Sequence, residues 1–180
     1  METYRLQPHP GHPPRAVSGV EARIIGRDDN WLRLRWRIEG SGELVVPKFA
    51  GKGRADGLWQ TTCFELFLRP DGGIAYCEFN LSPSERWNAY DFAARRDGMA
   101  ERPIPREPVC TMRMGSSFAI FDAALPAAAL PDTDCAVGLT CVIEEAGGHK
   151  SFWALEHRGE QPDFHDPACF TARLAAPSGA

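Results

Sequence analysis

Residues 58–92, LWQTTCFELFLRPDGGIAYCEFNLSPSERWNAYDF, constrain the fold more than any other stretch of the chain. Over 63–68 the side chains sort with a period of two: Phe64, Leu66 and Leu68 on one side, Cys63, Glu65 and Phe67 on the other. Successive side chains of a strand point to opposite faces, so this spacing predicts a strand with one aliphatic face and one mixed face. Residues 69–73, RPDGG, supply a turn, because the proline fixes φ and the glycines accept positive φ. A second strand is predicted over 74–82, with Ala75, Cys77, Phe79 and Leu81 on one face and Tyr76, Glu78 and Asn80 on the other. Ser82-Pro83-Ser84 marks another turn. Residues 86–92 are aromatic without clean alternation, and their faces stay unassigned.

The remainder of the chain repeats the pattern. Residues 19–26 and 31–39 read as a hairpin closed by the loop 26–30, GRDDN. In its second strand Leu32, Leu34, Trp36 and Ile38 face a core while Arg33, Arg35 and Arg37 face outward. Those arginines are expected to pair across strands with Glu65 or Glu78. Residues 40–42 turn the chain, 43–46 form a short strand, and 47–57 form a glycine-containing loop. Further strands are expected at 109–114, 117–121, 135–144, 151–156 and 170–174, with a short helical turn at 122–130 limited by Pro126. Many short strands with closely spaced turns predict an all-β sandwich of antiparallel strands. With no repeat or linker, the 180 residues form one domain, 1–180, with an extended arm at 1–16 and a fraying tail at 175–180.

Composition excludes several classes. The formal net charge of −4 argues against general nucleic-acid binding, which needs a basic surface. No apolar run approaches the roughly 20 residues that cross a bilayer, so no membrane partner is expected. The first residues lack the apolar core of a secretory signal, and a cytoplasmic protein is the expectation. Six cysteines without a C-x-x-C pair then read as reduced, buried thiols. Nucleophile-elbow, phosphate-loop, zinc-protease and dinucleotide motifs are absent, so no enzyme is expected. Glu65 with Glu78 has the makings of a glycosidase acid/base pair, but strand carboxylates more commonly pair with arginine. Met99 with His157 or His165 is a Met/His set of the kind that ligates haem, yet the histidine spacing shows no coordinating pattern and no cofactor is expected.

Sugar recognition fits the central stretch better. A sugar ring offers apolar C–H faces and a fringe of hydroxyls, which call for aromatic faces and for Glu, Asn and Arg partners. Trp59, Glu65, Arg86, Asn88 and Trp153 are the right types, although tryptophans also fill the cores of many sandwiches. Trp59 and Glu65 lie six residues apart. On a straight strand that is roughly 20 Å, too far for one monosaccharide, so a shared ligand demands a bend between them.

The block WQTTCFELFLRPDGGIAYCEFNLSPSERWNAYDFAARRDGM and the later FWALEHRGEQPDFHDPACFTARL resemble bacterial DOMON-like proteins related to family 9 carbohydrate-binding modules. The resemblance implies a jelly-roll-type β-sandwich that holds a small carbohydrate between two tryptophans. By motif position it implies Trp59 and Trp153 as stacking residues, Glu65 as hydroxyl acceptor, Arg86 as a ligand arginine, and Asn80 or Asn88 as amide contributors. Related DOMON domains bind haem, which is the alternative function. An interaction domain without a small ligand is a third, and it predicts no cleft between Trp59 and Trp153.

Overall fold

Alternation on the strands decides the architecture. In the computed structural model, which describes residues 1–177, thirteen strands form one curled, mixed sheet. They are β1 (Glu2–Pro8), β2 (Gly19–Arg27), β3 (Trp31–Glu39), β4 (Gly53–Arg54), β5 (Cys63–Pro70), β6 (Tyr76–Leu81) and β7 (Arg86–Phe92). The series continues with β8 (Ala100–Glu101), β9 (Val109–Met114), β10 (Phe118–Pro126), β11 (Cys135–Glu145), β12 (His149–Ala154) and β13 (Ala172–Leu174). The path runs β4-β7-β6-β5-β11-β12-β1-β2-β3-β10-β9, with β13 on β11 and β8 on β7. Among the described residues one ladder departs from the expected antiparallel pairing: the two residues of β4 run parallel to the start of β7.

The sheet curls so that β2, β3 and β10 face β5, β6, β7 and β11 across one core. Leu32, Leu34, Trp36 and Ile38 of β3 point in, as do Phe64, Leu66 and Leu68 of β5. Phe64 stacks on Phe121 of β10 with ring centroids 4.1 Å apart, and Trp36 packs 5.5 Å from Phe64. These aromatics join the two halves of the sheet. All six cysteines are free thiols and buried.

Several expectations need correction. The outward arginines of β3 do not meet Glu65 or Glu78, which lie on the far face of the opposite half. Arg35 pairs with Asp122 at 2.6 Å on the neighbouring β10, Arg33 with Asp28, and Arg37 with Glu39. Residues 43–46 are not a strand: a 3-10 turn (Ser41–Glu43) ends there and Leu44 makes one bridge to Glu145. The alanine-rich 122–126 is not helical, because pairing with both β3 and β9 holds it extended, and only Ala127–Ala129 turn. Part of the expected arm is strand β1, whose residues 2–6 pair with β2 and whose last two pair with β12. The expected fraying tail lies partly outside the described residues.

The outer face of the β5-β6-β7-β11 half is also covered. Phe164, Cys169 and Phe170, from the segment after β12, join Phe67, Tyr76 and Phe92 in a second apolar cluster. Gly138 of β11 permits this. A Cβ there would lie 2.7 Å from Phe170 Cδ1 and 3.2 Å from Phe67 Cβ.

A cavity on the outer face of the sheet

Strand register sets a polar row across this outer face. Thr140 of β11 stands beside Glu65 of β5, Glu65 beside Asn80 of β6, and Asn80 beside Asn88 of β7. The next row holds Phe67, Glu78 and Tyr90. Glu65 and Glu78 are therefore diagonal neighbours on adjacent strands, within reach of one another. A cavity of about 670 Å³ opens over these rows. Glu65, Glu78 and Asn80 form its floor, Trp59, Phe152 and Phe164 apolar walls, and Arg96, Met99 and His165 another side. Asp56, Tyr90 and Phe92 also line it, at the β7 end.

Trp59 reaches the cavity because it is not on a strand. It lies in a 3-10 turn, Leu58–Gln60, entered through Gly57 at φ 70°, a left-handed conformation that glycine adopts freely. The turn supplies the bend that a shared ligand demands, and it leaves the indole 54% exposed at the rim of the cavity whose floor carries Glu65.

The floor is buried and short of donors. Glu65 is 3% exposed and Glu78 7%. Among the described residues Glu65 receives a long bond from Thr140 Oγ1, 3.5 Å. Burial pushes its carboxyl well above the ordinary range, and the nearby Glu78 charge adds to this. Burial likewise raises Glu78 to about 7, against the opposing pull of the Asn80 amide. Asn80, 4% exposed, has an Oδ1 with no hydrogen-bond partner. Asp56 is better supplied: the Tyr90 hydroxyl and Asn88 Nδ2 (2.9 Å) both donate to Oδ1.

His165 closes one side. The Arg96 backbone N–H donates to the Tyr76 hydroxyl at 3.1 Å, and that hydroxyl lies 2.7 Å from His165 Nδ1. With Nδ1 accepting, the ring proton sits on Nε2, which faces Glu78 Oε2 at 3.7 Å. Burial, helped by the Arg96 charge, pushes the His165 pKa down to about 4, so the ring is neutral near pH 7. Arg95 and Arg96 tether this segment by ion pairs to Asp163 at 2.6 and 2.8 Å.

The structure brings together Trp59, Glu65 and Asn80. Asn88 stands one strand further along the row, its side chain committed to Arg54, Ala55 and Asp56. Arg86 reaches the 47–57 loop instead, donating to the Ala50 carbonyl at 2.8 Å. Trp153 does not face Trp59. It is 2% exposed in the core between the two halves of the sheet, its indole N–H bonded to Ser151 Oγ at 2.8 Å. Its register partner Cys141 also points into that core, whereas Phe152, one residue earlier, faces the cavity. Sequence reasoning named Glu78, Met99 and His165 in other roles and missed Tyr90, Phe92, Phe164 and Asp56 as lining. Phe152 lay on a strand already expected from the sequence, but nothing local told which of that strand's two faces pointed outward. Met99 and His165 do line the same cavity, but a metal at His165 would have to displace Tyr76 or Glu78.

An all-β fold of this kind is one that carbohydrate-binding modules share. A protein from Bacteroides uniformis, provisionally named a carbohydrate-binding protein, superposes with a TM-score of 0.65 at 17% identity, over 95% of this chain and 84% of that one. A family 9 carbohydrate-binding module from Caldicellulosiruptor kristjanssonii, in complex with glucose, gives 0.55 at 12% identity, over 97% and 85%. The same module with cellotriose gives 0.55 at 11%, over 97% and 84%. At these identities the likeness is one of fold. No family model matches the chain, and no curated protein does. Among the described residues no helix is long and apolar enough to cross a membrane.

Proposed function

We propose that the protein is a non-catalytic module that binds a small carbohydrate in the outer-face cavity. We read its curled sheet as a jelly-roll-type sandwich and its kinship as lying with DOMON-like and family 9 binding modules. The observation that carries the reading is the pairing of an exposed indole, Trp59, with a buried floor of Glu65, Glu78 and an unpartnered Asn80 oxygen. Buried polar atoms are ordinarily satisfied, so an open acceptor in a concave, aromatic-walled site favours a ligand rich in hydroxyl donors. Such a ligand stacks one C–H face on Trp59 and donates to the floor. Phe152 and Phe164 take the place that the sequence suggested for Trp153. The fold likeness to modules seen with glucose and cellotriose supports this ligand class.

The test is a screen of mono- and oligosaccharides by calorimetry, followed by titration of Trp59→Ala and Glu65→Gln. Loss of one stacking or hydrogen-bonding contact should weaken binding roughly tenfold to a hundredfold. A sugar that binds wild type and both variants equally refutes the site. Sustained hydrolysis of a glycoside, abolished by Glu65→Gln, refutes the non-catalytic assignment.

A further inference from the structure

The chemistry of the floor is more specific than sugar recognition requires. A neutral sugar hydroxyl both donates and accepts, so a site built for it usually mixes both kinds of partner. Here the buried floor presents two carboxyl groups, which are pure acceptors only once ionised, and the bare Asn80 Oδ1, while the Asn80 amide N–H is turned to Glu78. The side chains nearest to supplying positive charge are already engaged. The Arg96 guanidinium donates to Asp163 through Nε at 3.1 Å and Nη2 at 2.8 Å. The Tyr90 hydroxyl donates to Asp56. Asn88 has both ends of its amide bonded, to Arg54 and to Asp56. His165 is neutral, with Nδ1 held by Tyr76. Aromatic faces surround the opening, and these too favour a cation.

Resting on the carbohydrate reading, we propose that the preferred ligand is an amino sugar, a hexosamine whose ammonium group sits on Glu65, Glu78 and Asn80 Oδ1 while its ring stacks on Trp59. An ammonium has three donors and no acceptor, which matches Asn80 Oδ1 and the two carboxyl groups in the ionised form that a bound cation favours. Its charge also offsets the cost of holding two carboxylates close together out of water.

The proposal has a protonic signature. The groups facing the floor are Asp56 from the loop before β5, Glu65 on β5, and Glu78 on β6. Tyr90 on β7, Arg96 after it, and Tyr76 and His165 with its neighbour Asp163 complete the titratable and charged surroundings. Burial keeps the two glutamates protonated to a higher pH than usual, Glu78 to about 7. A bound cation favours their ionised forms, so amino-sugar binding near neutral pH releases protons, whereas neutral-sugar binding does not.

The experiment is calorimetric titration of the whole chain with glucosamine, glucose and N-acetylglucosamine at about pH 7 and about pH 5.5, repeated in two buffers of different ionisation heat. Glucosamine should bind about tenfold or more tightly than either neutral sugar at the higher pH. Its enthalpy should depend on the buffer, and the preference should shrink at the lower pH. Glu65→Gln and Glu78→Gln should each bring the three sugars close together in affinity. Equal or tighter binding of glucose or N-acetylglucosamine by wild type overturns the amino-sugar assignment while leaving carbohydrate binding intact. Binding of none of a wide sugar panel overturns both. The decisive comparison is among ligands on the wild-type protein, so it stands even if a variant folds poorly.

Discussion

Replacing Glu78 by glutamine should stabilise the protein at neutral and alkaline pH, although it alters the floor of the proposed site. Glu78 is buried, and its pKa rises from 4.5 to about 7. Between these values the folded protein holds a proton that the unfolded chain releases. Stability attributable to Glu78 therefore falls as pH rises from about 4.5 to about 7, and it levels off above that. The two values differ by roughly 2.5 pH units, and each is worth about 1.4 kcal/mol, so the native state is strained by about 3 kcal/mol above pH 7. Glutamine is nearly isosteric and never ionises. The variant should match wild type below about pH 4.5 and exceed it by up to about 3 kcal/mol near pH 8. His165, pushed down to about 4, has the opposite slope: its neutral folded form adds stability as pH rises from about 4 to its ordinary 6.5. The wild-type profile is thus partly flattened, and the difference between the two proteins is the diagnostic quantity. Urea denaturation at several pH values measures it. A variant that is less stable than wild type near pH 8, or a difference that does not change with pH, refutes the argument. A residue kept at such a cost is expected where function opposes stability.

Three other outcomes follow from the packing. Gly138→Ala should destabilise by roughly 1–3 kcal/mol, seen in denaturant melts, because its new Cβ meets Phe170 at 2.7 Å. Glu145 accepts backbone N–H groups of Arg15, Ala16 and Val17, so Glu145→Ala should cost about 2–3 kcal/mol and speed amide exchange at those three residues. Trp153→Ala should cost on the order of 3–5 kcal/mol of stability, whereas Trp59→Ala, at an exposed position, should leave the melt nearly unchanged and lower sugar affinity.

Strands β5 and β6 were legible because one face is aliphatic and the other carries isolated polar residues, so the period of two stands out. Strand β7 was not, because each of its faces mixes aromatic or apolar residues with polar ones, Arg86 and Asn88 on one and Asp91 on the other. Trp87 and Ala89 enter the core between the two halves of the sheet, while Tyr90 and Phe92 lie under the segment carrying Phe164 and His165. A long-range covering of that kind leaves no local mark. Residues 122–126 read as helical from their alanines, and two flanking strands overrode the preference. At the site, the need for a bend before Glu65 could be read from spacing alone, and Gly57 with the turn at Leu58–Gln60 provides it. The placement of Trp153 could not, because neighbouring residues of one strand face opposite sides and only the register with Cys141 tells which side is the core. Donor poverty around Glu65 and Asn80 is likewise a property of three strands together.

The most direct test of the central claim is amide and indole chemical-shift mapping of the labelled protein during titration with glucosamine, glucose and cellotriose. The account predicts that a bound sugar shifts the Trp59 indole N–H, the Asn80 side-chain amide and the backbone around Glu65 and Phe152, while the Trp153 indole stays put. Shifts confined to the opposite face of the molecule, around Arg35 and Asp122, or a saturable sugar response that spares Trp59 and Asn80, would contradict it.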